Sequence, residues 1–128
     1  MAIDIVIELE DEPGSLARVA AALSDAGINI AAATAINGHD AELHILVPRA
    51  EPVRHALEAG HKLSISRERE VAVVQCADRP GELADLAGLI AKAGVNLDLV
   101  YVATGSRVVF GSPDLDALKA ALGDRLSG

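Results

Sequence analysis

The sequence predicts an α+β fold made of two tandem ferredoxin-like βαββαβ units, each with an antiparallel sheet and its helices on one face. Three observations predict it: a pair of motifs that recurs at one fixed separation, the same order of strand and helix patterns in each half, and a core limited to small aliphatic side chains. The chain has 128 residues. A lone unit of about 60 residues is marginally stable, so we expect the copies to pack together or to dimerise.

Two short motifs recur at the same separation. The first copy reads Asp11-Glu12-Pro13-Gly14-Ser15-Leu16, and 67 positions later the second reads Asp78-Arg79-Pro80-Gly81-Glu82-Leu83. At that same separation, Gly27-Ile28-Asn29-Ile30 corresponds to Gly94-Val95-Asn96-Leu97. Chance readily supplies one Pro-Gly pair, but two motifs in one register indicate an internal duplication. The predicted domains are residues 1–68 and 69–128.

Each copy begins with a strand followed by a helix. In residues 3–9 the apolar Ile3, Ile5, Ile7 and Leu9 alternate with Asp4, Val6 and Glu8. This period of two indicates a half-buried strand, and residues 71–76, which are more apolar on both faces, are the counterpart. Residues 16–23 and 83–90 carry apolar side chains at i, i+3, i+4 and i+7, a spacing typical of an amphipathic helix.

The predicted ends of these helices rest on proline and glycine. Pro13 and Pro80 suit a first helical turn, where the missing N–H removes no intrahelical bond. Gly27 and Gly94 suit the left-handed residue that ends a helix. Each copy is therefore expected to contain a helix bounded by the two recurring motifs.

The remaining elements follow in the same order in both copies. We predict second strands at residues 28–36 and 95–103, third strands at 41–47 and 107–110, and second helices that begin near 51 and 114. A fourth strand at 62–66 closes the first copy, and residues 67–70, without Pro or Gly, are expected to form a tight junction.

The second copy departs from this pattern at its end. After Leu122 the sequence has only six residues, and all except Leu126 are polar or small, which is too short and too polar a stretch for a fourth strand. The second sheet is therefore expected to end one strand short. Because exposed strand edges tend to be covered, we expect another chain or a neighbouring element to cover this one.

Composition excludes several classes of function. The formal net charge of −8 disfavours binding to phosphate backbones, and one Phe, one Tyr and no Trp leave few residues for base stacking. The single cysteine, Cys76, fits a reducing compartment. The sequence shows neither a signal-peptide pattern nor an apolar run long enough to span a membrane. We therefore expect a cytoplasmic protein that binds neither nucleic acid nor membrane.

The Pro-Gly motif has the chemistry of an amino-acid site. A helix N-terminus presents unpaired backbone N–H groups and a positive dipole end, which favour a carboxylate. Gly14 permits close approach, Asn29 offers a donor and an acceptor beside that position, and Asp11 is suited to pair with an ammonium group. The equivalent residues of the second copy are Gly81, Asn96 and Asp78.

Purely structural roles explain the same residues. An Asp before a helix start is often a cap, a Gly often ends a helix, and an Asn often bonds its own backbone in a turn. For either copy taken alone, these roles account for the motif as well as ligand binding does.

Taken together, the Asp-x-Pro-Gly-x-Leu loop, the amphipathic helix and the Gly-x-Asn segment resemble ACT domains, and the chain is most similar to the stand-alone tandem ACT proteins of bacteria. The resemblance implies a non-catalytic regulatory module without a cofactor, which acts as a homodimer or on a regulated enzyme. It implies an amino-acid ligand held between the loop of one domain and the second strand of its neighbour. The candidate ligand-binding residues are Asp11, Glu12, Pro13, Gly14, Ser15, Leu16, Ile28, Asn29 and Ile30 in the first copy, and Asp78, Arg79, Pro80, Gly81, Glu82, Leu83, Val95, Asn96 and Leu97 in the second.

Two other classes of function compete with a ligand sensor. A ferredoxin-like unit also serves as a protein-interaction or dimerisation module that regulates a partner without a ligand of its own. An enzyme of the acylphosphatase type shares the topology, but it needs an Arg in its loop. Arg79 is the one candidate, and Glu12 stands at that position in the first copy. The chain is therefore not expected to be an enzyme.

Metal and nucleophile sites are weaker candidates. The four histidines, His39, His44, His55 and His61, lack cysteine or carboxylate neighbours at the spacing of metal ligands. Cys76 adjoins the second loop, where a helix N-terminus would lower the pKa of its thiol; the alternative is a small core residue. No metal site and no catalytic residue is therefore predicted.

Overall fold

The computed structural model of the protein describes residues 2–10, 12–37, 41–60, 63 and 65–127. The chain divides into two compact units, one spanning Ala2–Arg69 and the other running from Glu70 onwards. The described residues contain six strands and four α-helices, which confirms the α+β class and the ferredoxin-like units.

The first unit has the predicted βαββαβ order. Its elements are β1 (Ala2–Glu8), α1 (Ser15–Asp25), β2 (Ala32–Asn37), β3 (Ala41–Val47), α2 (Glu51–Gly60) and the part of β4 (Ile65–Gln75) up to Arg69. The strands lie in the order β2-β3-β1-β4. Strand β3 pairs antiparallel with β1 on one side and with β2 on the other.

One face of β1 contributes to the core as the period-two pattern predicts, but Asp4 and Val6 on the other face are buried too, so the strand is not half-buried as expected. Ile5 and Ile7 on β1 face α1 and α2, where Leu23 and Leu57 are fully buried. Leu16, predicted as the first member of the buried stripe, is instead 51% exposed. Leu83, predicted at the equivalent position of the second copy, is likewise 51% exposed.

The second unit repeats this arrangement. It contains the remainder of β4, α3 (Glu82–Lys92), β5 (Leu99–Ala103), β6 (Arg107–Gly111), α4 (Leu115–Leu122) and a 3-10 turn, Gly123–Arg125. The strands lie in the order β4-β6-β5. The core packs Phe110 against residues of both helices, among them Leu86, Ile90 and Leu118.

The missing fourth strand of the second unit is replaced by a single bridge. Leu126 pairs antiparallel with Val74 of β4, and the backbone N–H of Ser127 donates to the carbonyl of Val73 at 2.7 Å. The strand edge that the sequence predicted to be open is thus covered in part by the residues that follow α4.

Three sequence-based boundaries were wrong. The second strands begin at Ala32 and Leu99, because the residues after Gly27 and Gly94 pack against the core without pairing to a strand. Residues 67–70 are not a junction but lie within β4, where alternating charged side chains are compatible with an extended backbone.

The third correction concerns the helix starts. Helices α1 and α3 begin after Gly14 and Gly81, whose φ angles of +91° and +89° lie in the left-handed region. Pro13 and Pro80 therefore lie in the preceding turn and not in the first helical turn. The expected left-handed residues at the other helix ends are confirmed, since the φ angles of Gly27 and Gly94 are +74° and +72°.

Candidate ligand-binding site

Each unit has a shallow depression between the loop that precedes its first helix and the hairpin that joins its second and third strands. The first depression has a volume of about 340 Å³ and is lined by residues within 9–16 and 35–42. The second has a volume of about 330 Å³ and is lined by residues within 76–83 and 102–108. Most lining positions correspond at the separation of the sequence repeat, so the duplication produced two equivalent sites.

The two loops have the same backbone. The N–H of Glu12 donates to the carbonyl of Glu10 at 2.8 Å, and the N–H of Arg79 donates to that of Ala77 at 3.0 Å. Gly14 and Gly81 are the helix N-caps and provide no capping side chain. The capping role considered for Asp78 is therefore not seen at this helix start, and Asp11 lies outside the described residues.

Glycine is needed at these caps because of φ, not because of space. A Cβ atom added to Gly14 or Gly81 would meet no heavy atom within 4 Å. A φ near +90° is nevertheless strained for any residue with a side chain. Both helices therefore start from a left-handed glycine with no heavy atom packed against the position of a Cβ.

The first depression is closed at its base by a serine. The hydroxyl of Ser15, which is only 8% exposed, donates to the carbonyls of Glu10 at 2.6 Å and Glu12 at 3.1 Å. The side chains around this base are acidic: the described residues that line the depression include Glu10, Glu12 and Glu42 but no basic residue. Arg18 and Arg67 lie outside the lining and form ion pairs with Glu12 and Glu42.

Glu82 replaces the serine in the second depression. Its Oε1 accepts from the N–H of Ala77 at 3.4 Å and from Arg125 at 3.1 Å, and its Oε2 accepts from Nε of Arg79 at 3.2 Å. The bond from the Ala77 amide and then that from Arg79 lower the pKa of Glu82 below its ordinary value.

Guanidinium groups make the second depression chemically distinct. Arg79 and Arg107 both line it, together with Asp78. Nε of Arg107 donates to the carbonyl of Thr104 at 2.8 Å, and this bond fixes the side chain at the hairpin. The second depression therefore presents two cations and two carboxylates where the first presents carboxylates alone.

Cys76 does not have the properties of a nucleophile. Its thiol lines the second depression, but burial, and then the charge of Glu82, raise its pKa above the ordinary value. A reactive thiol at this position would require a lowered pKa, so the direction of the shift disfavours that interpretation. The alternative is favoured, because Cys76 is half-buried against the apolar core of the second unit.

The Gly-x-Asn segment lies at the other end of the helix. Helix α1 has 11 residues and is about 16 Å long at a rise of about 1.5 Å per residue. Asn29 lies beyond its C-terminal end, in a separate depression with Pro48 and Arg49. The expectation that Asn29 lies beside the loop of its own copy does not hold, and the same separation applies to Asn96 across α3.

The apolar neighbours of the asparagines have a structural role. Ile28 and Ile30 pack against the core of the first unit, and Val95 and Leu97 against that of the second. Within one unit, the depression is lined by the predicted residues Glu12, Pro13, Ser15 and Leu16, or Asp78, Arg79, Glu82 and Leu83. Gly14, Pro80, Gly81 and the Gly-x-Asn residues do not line it.

Sequence reasoning missed the hairpin half of each depression. Ile36 is 63% exposed and Val102 is 70% exposed, and each lines the depression of its unit. Arg107 contributes the second guanidinium. The turn signals that follow the second strands marked the position of this hairpin, but they did not indicate that it folds against the loop.

The histidines do not form a cluster in the described part of the chain. His44 lies on β3 with its Nδ1 3.0 Å from the buried carboxylate of Asp4, and His55 is exposed on α2. His39 and His61 lie outside the described residues. No group of three potential metal ligands occurs among the residues described, and none of the helices described there has the length and apolar character needed to cross a membrane.

Comparison with known proteins identifies both copies. The sequence model of the ACT domain matches residues 3–64 and again residues 71–124. No curated protein gives a match.

Solved structures share the fold of the whole chain. A protein from Bacteroides thetaiotaomicron is 21% identical, with a TM-score of 0.77 over 98% of this chain and 88% of its own. The ligand-free regulatory subunit of aspartate kinase from Thermus thermophilus is 20% identical, with a TM-score of 0.67 over 97% of this chain and 91% of its own. The corresponding subunit from Thermus flavus is 22% identical, with a TM-score of 0.67 over 94% and 90%.

Proposed function

Since this chain belongs to the ACT domain family, with two copies of the domain in tandem, we propose that it is a non-catalytic regulatory protein that binds an amino acid. One observation carries the proposal: each unit repeats a depression in which a helix start with a left-handed glycine meets an exposed hairpin. The ACT domain is a regulatory module, and a ligand site at this loop fits that role.

The second depression offers the clearer chemistry for an amino acid. A guanidinium group binds a carboxylate through two parallel hydrogen bonds, and Arg79 and Arg107 both line this depression. Asp78, on the same loop, is exposed and suited to an ammonium group. Leu83, 51% exposed, supplies apolar surface for a side chain.

We further propose that a neighbouring domain completes each site and that the protein acts as a homodimer in the cytoplasm. Both depressions are open, and the Gly-x-Asn segment of the same unit is a helix length away. A Gly-x-Asn segment from another domain would bring Asn29 or Asn96 to the ligand. Structural neighbours include regulatory subunits of aspartate kinase, which supports a separate enzyme as the regulated partner.

A protein-interaction module that binds no small molecule is the second candidate. The observation that favours it is the exposure of large apolar side chains around both depressions, namely Leu16, Ile36, Leu83 and Val102. Exposed apolar groups of this kind often mark protein-binding surfaces.

A thermal-shift screen of the twenty amino acids separates the two candidates. A ligand that binds only the folded state, present at 100 times its Kd, stabilises that state by about 2.7 kcal/mol. We expect at least one amino acid to raise the Tm at millimolar concentration. Arg79→Gln is expected to reduce the shift, whereas Arg54→Gln, which removes an exposed arginine that lines neither depression, leaves it unchanged. No shift with any amino acid would favour the interaction module.

A further inference from the structure

The loops of the two depressions carry different charges at equivalent positions. At the separation of the sequence repeat, Glu10 corresponds to Ala77 and Glu12 corresponds to Arg79. All four residues line the depression of their unit. The second loop therefore lacks both of these carboxylates, and it has a guanidinium group in place of one of them.

The hairpins differ in the same direction. The first residue of β3 that belongs to the core is Leu43, and the first such residue of β6 is Val108. The residues directly before these two, Glu42 and Arg107, are therefore at equivalent positions, and both line the depression of their unit. A carboxylate of the first depression is thus replaced by a guanidinium group on the loop side and again on the hairpin side of the second.

Both guanidinium groups retain nitrogen atoms for a ligand. Nε of Arg79 donates to Glu82, and Nε and one terminal nitrogen of Arg107 donate to Thr104. Within the described part of the chain, the two terminal nitrogens of Arg79 and the other terminal nitrogen of Arg107 form no hydrogen bond. These nitrogens are suited to a carboxylate, and the exposed Asp78 in the same lining is suited to an ammonium group.

The remainder of the second lining is largely apolar. Leu83 and Val102 line the depression and are exposed, whereas Ala103 and Val108 line it and are almost fully buried. An aliphatic side chain placed on these residues removes apolar surface from water on both partners. A hydroxyl or amide group placed there loses hydrogen bonds to water that the apolar residues cannot replace. The lining therefore favours a ligand with an aliphatic side chain.

We propose that the second depression selects an amino acid with an aliphatic side chain and that each chain binds one such ligand, not two. This selection rests on the proposed function, because it specifies the ligand of that same site. The described lining of the first depression contains three carboxylates and no cation for the carboxylate of an amino acid. The first depression is therefore expected to stay empty at concentrations that fill the second.

The affinities of matched amino acids for the full chain test this selection. Valine and threonine differ by one methyl group in place of a hydroxyl, and we expect valine to bind at least about threefold more tightly. Along the series alanine, 2-aminobutyrate and norvaline, each added carbon is expected to lower the Kd about twofold to fourfold, because complete burial of one methylene group corresponds to about fourfold. Isothermal titration calorimetry measures these values, and equilibrium dialysis with radiolabelled valine measures the number bound per chain.

The outcomes separate this inference from the proposed function. Threonine or lysine that binds as tightly as valine would overturn the aliphatic selection but leave the amino-acid sensor in place. Two valines bound per chain with equal affinity would overturn the single site in the same way. If no amino acid binds, the sensor and the selection both fail.

A matched pair of variants tests the position of the site. Leu83 and Leu16 occupy the same position of their helices, and each is 51% exposed. Leu83→Gln is expected to raise the Kd of valine at least about threefold but that of alanine by less than about twofold, because the shorter side chain covers less of Leu83. Leu16→Gln is expected to change neither value, and neither variant should alter the Tm of the ligand-free protein. Equal effects of the two variants on valine binding, or no effect of either, would overturn the assignment to the second depression.

Discussion

The first and second depressions share a backbone but differ in charge. Their loops have the same turn, and their helices start from glycines with φ angles of +91° and +89°. The base of the first is a serine hydroxyl that donates to loop carbonyls. The base of the second is a carboxylate that accepts from a loop amide and two arginines. The same loop shape is thus held in one copy by a side chain that donates hydrogen bonds and in the other by a side chain that accepts them.

The difference has a consequence for ligands. The described lining of the first depression has three carboxylates and no cation for a carboxylate ligand, although Glu12 and Glu42 are ion-paired with Arg18 and Arg67 outside the lining. In the second, Arg79 and Arg107 attract a carboxylate. The duplication therefore provides one geometry with two electrostatic environments, and the predictions below test the shared backbone and the divergent charges separately.

The largest expected effect tests the shared backbone. Gly14→Val and Gly81→Val each force a β-branched residue into a left-handed conformation, and each is expected to lower the free energy of unfolding by about 2 kcal/mol. Because the φ angles match, the two losses should agree closely in urea denaturation. Gly14→Asn and Gly81→Asn are the controls and should lose less, since asparagine tolerates this region. Losses that differ by more than about 1 kcal/mol between the copies would show that the loops are not equivalent.

The next effect tests the divergent charges through ligand affinity. With an amino acid that raises the Tm, Arg79→Gln removes a charged hydrogen-bond donor from the second depression and is expected to cost about 1.5 kcal/mol of binding, roughly tenfold in Kd. Glu12→Gln at the equivalent position is expected to change the Kd by less than about threefold, because the described lining of the first depression contains no arginine. Isothermal titration calorimetry measures both. A larger loss for Glu12→Gln would assign the ligand to the first depression.

The fold could be predicted from the sequence because its signals are local. Alternation along β1 and the i, i+4 pattern of α1 depend on neighbouring residues only, and the repeat supports each assignment twice. The strand starts at Ala32 and Leu99 could not be predicted, because Ile28 and Val95 are apolar whether they pair with a strand or merely pack on a core. The sequence does not distinguish these two kinds of burial.

The candidate site could be predicted only in part. The loop half is contiguous in sequence, so residues 12–16 and 79–83 could be proposed together as a site. The hairpin half is distant in sequence, and no pattern in Ile36 or Arg107 indicates contact with the loop. Asn29 and Gly14 lie at opposite ends of α1, so the expectation that they lie side by side within one copy does not hold. The helix predicted between the two motifs already implied this separation.

A smaller expected effect on the free energy of unfolding tests the Ser15 hydroxyl at the bottom of the first depression. Ser15→Ala leaves the carbonyl of Glu10 without its bond from the buried hydroxyl and is expected to lower the free energy of unfolding by about 1 kcal/mol. The loss should be independent of pH between 4 and about 8, because a hydroxyl does not titrate there. Ser24→Ala, at an exposed position of the same helix, is the control and should not destabilise the fold. A pH-dependent loss for Ser15→Ala would contradict the conclusion that an uncharged hydroxyl holds the bottom of the first depression.

The smallest expected effect tests the Glu82 carboxylate at the bottom of the second depression. It is a change in the free energy of unfolding that is expected only at acidic pH. The amide of Ala77 and then Arg79 lower the pKa of Glu82 in the folded state. A lowered folded pKa contributes stability that is present above the unfolded pKa, about 4.3, and is lost as the pH falls through the folded pKa. Glu82→Gln should therefore flatten the loss of stability below pH of about 4, measured by urea denaturation, whereas Ser15→Ala should leave the acid limb of that profile unchanged. If Glu82→Gln lost stability below pH of about 4 as steeply as the unmodified protein does, the Glu82 carboxylate would not be what holds this loop. Ser15 and Glu82 would then differ in residue type without a measurable difference in how they stabilise their loops.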